Sequence, residues 1–274
     1  MKIAAIQMVS SPRLTDNLAQ ARTLLEQAAA LGAELAVLPE YFSVMGLRDS
    51  DKLALAEPFG HGPVQDFLAS AARELGLWLV GGTLPLACTD SGDAQRVRNS
   101  SLVYAPTGEC VARYDKIHLF RFDNGREHYD EGHTIEAGTA PVQFHLPSGD
   151  GHRWCIGLSV CYDLRFPELY RQHARAGADL LLVPSAFTYT TGQAHWELLL
   201  RARAIENQAY VLAAAQGGVH DNGRHTWGHS LAIDPWGEVL ALQAQGTGVV
   251  LSELHATRVQ QVRMQLPALQ HRVL

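Results

Sequence analysis

The stretch LGAELAVLPE at residues 31–40 recurs as AGADLLLVPS at residues 176–185. Both carry a glycine at a helix end, a short apolar strand and a proline that stops it. A second pair is SLVYAPTGECVARYDK at 101–116 and SLAIDPWGEVLALQAQ at 230–245, each a strand, a Pro-x-Gly turn and another strand. A weaker third pair is KIAAIQM at 2–8 and WCIGLSVC at 154–161. The spacing differs from pair to pair, so loop lengths differ between the halves. This is one α/β unit written twice, and two similar sheets must then be buried by one chain.

Each half reads strand, helix, strand, helix, strand, hairpin. The first helix is expected over residues 15–31, with Thr15 as N-cap, Gly32 just past its end and Leu18, Ala21, Leu25 and Ala28 as its apolar stripe. The second follows Pro63 and ends near Gly76. The second half repeats them near 168–176 and 194–208. LAVLP, WLVGG and LLLVP are apolar throughout, as strands covered on both faces must be. Two sheets packed on each other with helices outside, a four-layer αββα sandwich with an internal two-fold pseudo-repeat, satisfy all these faces within one domain of residues 1–274. Residues 120–141 are polar and irregular, which marks a functional loop.

The 274 residues are 47% hydrophobic, enough for a large core, and carry a formal net charge of −6 without a Lys/Arg-rich block. That balance argues against a nucleic-acid partner. No apolar run is long enough to span a bilayer, and four scattered cysteines do not make a disulfide framework, so a cytoplasmic setting is expected. Cys88, Cys110 and Cys155 read as packing or loop residues. His220 and His225 flank DNGR, which suggests a turn and not a metal site.

Ligands of α/β sheets sit beyond the carboxyl ends of strands. Three such ends carry reactive groups: Glu40 after ELAVLP, Lys116 after CVARYD and Cys161 after CIGLSV. Their counterparts in the other half are Ser185, Gln245 and roughly Met8, so the reactive groups break the internal symmetry. A thiol attacks carbon as thiolate and needs help to lose its proton. Glu40 could accept it and Lys116 could stabilise the anion. A helix beginning just after Cys161 would favour negative charge, and the Tyr162 N–H would face a developing oxyanion. Singly, each has a bland reading: a packed thiol, a helix cap, a solvated loop charge.

LAVLPEYF, RYDKIHLF and LSVCYDLRFPELYR together resemble the Glu, Lys and Cys motifs of the nitrilase superfamily of carbon–nitrogen hydrolases, in the same order and with similarity along essentially the whole chain. The resemblance implies the αββα sandwich, a Cys161 nucleophile, a Glu40 general base and a Lys116 that stabilises the tetrahedral intermediate, with no metal or organic cofactor. It also implies a second glutamate on the lysine. YDEGHTIEAG places Glu131 seven residues ahead of Gly138 and selects it over Glu127 and Glu136. Residues 185–216, GHSLAIDPWGEV and LPALQHR resemble the deaminated-glutathione amidase branch, with an omega-amidase on 2-oxoglutaramate, or another small-amide or nitrile hydrolase of the superfamily, as the alternative.

The small-molecule amide substrate so implied carries carboxylates. Arg165, four residues after Cys161, is the expected partner of its oxoacid carboxylate, with Phe187 and Thr191 lining the pocket. A salt bridge from Arg165 to Glu168 or Asp163, and plain packing of Phe187, are the competing readings. The superfamily's habit of pairing through outer helices implies a homodimer. A catalytically silent binding module is the reading from a different class, and the intact Glu, Lys and Cys argue against it.

Overall fold

A computed structural model describes residues 1–88 and 95–273. The first half runs β1 (Lys2–Gln7), α1 (Leu14–Ala30), β2 (Leu35–Val37), α2 (Asp51–Ala54), α3 (Pro63–Leu75), β3 (Trp78–Val80), β4 (Leu84–Ala87), β5 (Val97–Tyr104) and β6 (Cys110–Asp115). A hairpin of β7 (Arg121–Asp123) and β8 (His128–Asp130), then β9 (Gln143–Pro147), lead to the second half. That half runs β10 (Arg153–Leu158), α4 (Pro167–Arg175), β11 (Leu180–Leu182), α5 (Tyr189–Asn207), β12 (Tyr210–Ala213), β13 (Ser230–Ile233) and β14 (Val239–Gln243). The chain continues through β15 (Gly248–Glu253) and α6 (Ala256–Gln265).

The two sheets follow one plan. In the first, β1, β2, β3, β5 and β6 lie side by side; in the second, β10 to β14 do. The first three strands of each run are parallel and the hairpin is antiparallel. The halves also exchange their last strands. β9, at the close of the first half, pairs antiparallel with β10, and β15, at the close of the second, pairs with β1. Neither sheet is complete without the other half's strand.

Strand alternation sorts the core into layers. Ile3, Ala5, Leu35, Val37, Val80 and Val103 face the second sheet and share one buried cluster with Phe144, Trp154 and Leu182. Their neighbours Ala4, Ile6, Ala36, Leu38, Leu79 and Leu102 face outward onto Leu25 of α1 and Leu68 of α3. On the other side Tyr170 of α4 and Trp196 and Leu200 of α5 cover the second sheet. Helix, sheet, sheet, helix is the expected sandwich.

Several boundaries differ from expectation. α1 begins at Leu14 with Arg13 in the N-cap position, so Thr15 caps nothing. The loop before α1 is tied instead by Asn17, whose side chain accepts from the Ser11 N–H at 2.8 Å and donates to the Ser43 carbonyl at 2.8 Å. α3 runs from Pro63 to Leu75, with Gly76 in the left-handed region just beyond it. α5 starts at Tyr189, earlier than expected, because burial of Thr191, Gly192 and Trp196 outweighs the weak helix propensity of its first turn. Residues 120–141 contain the β7–β8 hairpin and a 3-10 turn, Glu131–His133, where an irregular loop is expected.

Candidate active site

Glu40 lies three residues past the end of β2 and is 1% exposed. The turn that carries it packs on Gly82, where φ is +49° and a Cβ would sit 2.0 Å from the Pro39 carbonyl oxygen, so only glycine fits. Tyr41, also in the left-handed region, donates its N–H to Thr83 Oγ1 at 3.0 Å. A buried carboxylate needs donors, and Glu40 accepts from Asn99 Nδ2 at 3.0 Å, Lys116 Nζ at 3.0 Å and the Ala186 N–H at 2.9 Å, with the Cys161 thiol hydrogen-bonded to it as well.

Lys116 follows β6 and is fully buried. Its Nζ lies 2.8 and 3.0 Å from the two Glu131 oxygens as well as 3.0 Å from Glu40 Oε1. Burial works against its charge, but Glu131 and then Glu40 outweigh burial and keep the ammonium protonated. Burial likewise disfavours the Glu131 carboxylate, and Lys116 reverses this and holds it below its ordinary range. Glu131 also accepts from the Tyr41 hydroxyl at 2.8 Å and the Phe120 N–H at 2.7 Å. The loop reaches Lys116 through Gly138, whose N–H donates to the Lys116 carbonyl at 2.9 Å. A Cβ on Gly138 would stand 2.1 Å from the Asp115 carbonyl oxygen.

Cys161 comes three residues after β10, with φ +49°, a strained conformation for a residue with a side chain. Asp163 holds that turn. Fully buried, it accepts from the Val160 N–H at 2.8 Å, the Tyr114 hydroxyl at 2.7 Å and the His118 N–H at 3.0 Å, tying the cysteine turn to the strand that bears Lys116. The Cys161 N–H donates to the Pro184 carbonyl at 2.9 Å. The Tyr162 N–H meets no acceptor among the described residues.

One expectation about the thiol needs correction, and one property of it is new. Residues Cys161–Arg165 form a 3-10 turn, and the α-helix starts only at Pro167, so no α-helix N-terminus faces the sulfur. Nor is the thiol pre-ionised. Burial first, then the charge of Glu40, pushes it well above the usual thiol range, and Lys116 offsets only part of this. A carboxylate near a neutral thiol can take its proton as the sulfur attacks, which a pre-formed thiolate would not require.

Cys161, Glu40, Glu131 and Tyr162 line one cavity of about 270 Å³, with Phe120, Phe187, Thr188, Thr191 and Arg224 around it. Phe187 and Thr191 both lie in this wall. Arg165 is not in the cavity wall. Its guanidinium packs 5.3 Å from the Phe187 ring centre and 5.7 Å from that of Tyr162, with Nη1 3.2 Å from His195 Nδ1. Among the described residues it makes no ion pair with Glu168 or Asp163.

Sequence reasoning missed Asn99, Tyr41, Arg224 and the pinning role of Asp163. Asn99 had a signal: Arg98, Asn99, Ser100 and Ser101 are a polar run inside β5, and all four are buried. Arg224 had none, because its turn is brought to the cavity only by the fold.

Sandwich, exchanged strands and a buried Glu–Lys–Glu–Cys cluster define a carbon–nitrogen hydrolase. The chain belongs to that family, whose model, described as Carbon-nitrogen hydrolase, matches residues 2–264. A Synechocystis sp. protein named deaminated glutathione amidase is 42% identical over 272 residues, covering 98% of this chain and 97% of its own length. The Homo sapiens protein of the same name is 41% identical over 274 residues, covering 98% and 81%. Saccharomyces cerevisiae Nit3, described as a member of branch 10 of the nitrilase superfamily, has a crystal structure that matches with TM-score 0.87 at 29% identity, covering 100% of this chain and 97% of that one.

Proposed function

We propose that this hydrolase cleaves the amide of deaminated glutathione to 2-oxoglutarate and cysteinylglycine, and that Cys161, Glu40, Lys116 and Glu131 carry the reaction. The observation that carries the reading is the buried cluster itself, in which Lys116 bridges two carboxylates beside Cys161. The relatives named above support the substrate.

In the first half-reaction Cys161 Sγ attacks the amide carbon while its proton passes to Glu40. Lys116 and the Tyr162 N–H receive the oxyanion. Glu40 then returns the proton to the departing amine nitrogen, the C–N bond breaks and a thioester remains. In the second half-reaction Glu40 takes a proton from water, the hydroxide adds to the thioester carbon and the acid leaves as Cys161 regains a proton. Glu131 keeps the Lys116 ammonium charged and aimed throughout.

For the oxoacid end, Thr191 and Phe187 offer the cavity wall, and Arg165 stands directly behind Phe187 and Tyr162. Arg165→Met is expected to raise KM several-fold with little change in kcat, because the guanidinium supports the Phe187 and Tyr162 rings that form the wall. An unchanged KM would remove Arg165 from this role. The decisive assay compares deaminated glutathione with 2-oxoglutaramate at equal concentration. Faster turnover of the former supports the reading, and the reverse order assigns an omega-amidase.

The same reading includes a single catalytic domain, a cytoplasmic setting and a homodimer through α5. Cys110, Cys155 and Cys161 present as thiols fit a reducing compartment. Leu198 is 70% and Trp236 54% exposed, on α5 and on the turn that receives Arg201 Nε at the Gly237 carbonyl. A monomeric mass by light scattering would remove the dimer.

A further inference from the structure

Arg224 is a wall shared by the cavity over Cys161 and a second cleft of about 360 Å³ bounded by Tyr41, Met45, Arg48, Asp49 and Lys52. Two cations meet there, and the carboxylates that favour their charge, Glu131 and Asp49 for Lys52 and Glu40 for Arg224, make no ion-pair contact with them among the described residues. Lys52, on α2, is partly buried and places its ammonium 5.5 Å from the Tyr41 ring centre. Among the described residues it makes no hydrogen bond or ion pair. Its sequence neighbour Asp51 is occupied by Arg48, through the backbone N–H at 3.0 Å and Nε at 3.3 Å. Arg224 lies 5.0 Å from the Tyr129 ring centre and reaches the Ala186 carbonyl only at 3.4 Å. Its Nε is buried and has no hydrogen-bond partner among the described residues. A partly buried cation gains most from an anion it can touch, and neither of these has one, so the cleft suits an anion that arrives with a ligand.

The position of the pair indicates which anion. One ring, Tyr41, separates Lys52 from the catalytic cluster: its face carries the ammonium and its hydroxyl bonds Glu131 at 2.8 Å. Phe187, Thr191 and Arg165 lie at the oxoacid end proposed above, which leaves the Arg224 side for the departing amine. Two extended residues span about 7 Å, roughly the length of a tyrosine side chain, so a dipeptide's terminal carboxylate falls in the second cleft. We propose that Lys52 and Arg224 bind the terminal carboxylate of the amine-side half of the substrate, so that this cleft selects amides of anionic, peptide-like leaving groups. The inference rests on the reading that the substrate is such an amide.

The test compares kcat/KM for deaminated glutathione and for its glycine carboxamide, which lacks only the charge. The protein is expected to favour the acid by roughly tenfold or more, Lys52→Met to reduce that ratio to near one, and Lys52→Arg to keep it. A ratio equal in the native protein and Lys52→Met overturns the proposal. A second measurement needs neither a variant nor turnover: protection of Cys161 from iodoacetamide by alanylglycine and by alanylglycinamide, followed by mass spectrometry. Stronger protection by the free acid supports the cleft, and equal effects of the two, nil included, overturn it. If deaminated glutathione is not hydrolysed at all, the substrate reading fails while the protection experiment still decides the cleft.

Discussion

The ends of β2 and β11 are equivalent positions of the doubled unit, yet they do opposite things. After β2 stands Glu40, a buried carboxylate fed by Asn99, Lys116 and a backbone N–H. After β11 stands Ser185, whose hydroxyl donates to the Val183 carbonyl at 3.2 Å and whose N–H donates to Ala214. The two ends touch, because the third donor to Glu40 is the N–H of Ala186, the residue after Ser185. Duplication therefore brings both strand ends to one seam between the sheets. One end then holds charge, and the other supplies neutral backbone that orients it. The same division separates Lys116 from Gln245, and Cys161 from the packed Met8.

The strongest way to break this asymmetry is to make the halves alike. Lys116→Gln copies the residue at the equivalent position and removes both the proposed oxyanion donor and the cation between two buried carboxylates. The lost donor alone is worth ~3 kcal/mol of barrier, so kcat is expected to fall more than about a hundredfold. Stability also drops, because Glu40 and Glu131 are left buried without their cation. Stopped-flow turnover with urea melts on the same sample separates the two effects. Near-normal turnover in a folded Lys116→Gln protein would remove Lys116 from the mechanism.

What was legible in the sequence follows from this division. The duplication, the apolar strands and the three reactive strand ends are local patterns, and each lies where its pattern put it. The exchange of β9 and β15 was not legible, because an edge strand's partner is chosen by the whole fold and not by its own alternation. Asp163 was invisible for a related reason: in sequence it is a carboxylate beside a cysteine, and only folding brings Tyr114 and His118 to it. The dipole expected behind Cys161 failed because Pro167, with its fixed φ and missing N–H, sets the α-helix start there, six residues later.

Glu131→Gln probes the linker that serves the charged end alone. Glu131 is held below its ordinary carboxylate range by Lys116 against the cost of burial, so its folded pKa lies under its unfolded one. The stability this contributes is fully present above the unfolded value of about 4.3 and is lost as pH falls through the lower folded value. The native urea midpoint is therefore expected to hold down to about pH 5 and to drop below it. In Glu131→Gln it starts lower and drops less, with kcat reduced by roughly tenfold as Lys116 loses one of its two carboxylates. An equal drop in both proteins would show that the Lys116 pair contributes nothing to acid stability.

The smallest effect is expected from Ser185→Ala, at the uncharged end. The hydroxyl is fully buried, and its one donated bond goes to a carbonyl two residues back, so its removal costs about 1 kcal/mol of stability. The backbone path to Glu40 is untouched: the Ser185 N–H still donates to Ala214 and the Ala186 N–H still donates to Glu40 Oε2. Turnover should stay within about twofold of native, since the loss falls on ground and transition state alike. A fall beyond tenfold would mean that the hydroxyl itself bears on Glu40. The seam would then be catalytic on both sides, and the neutral half could no longer be described as backbone support.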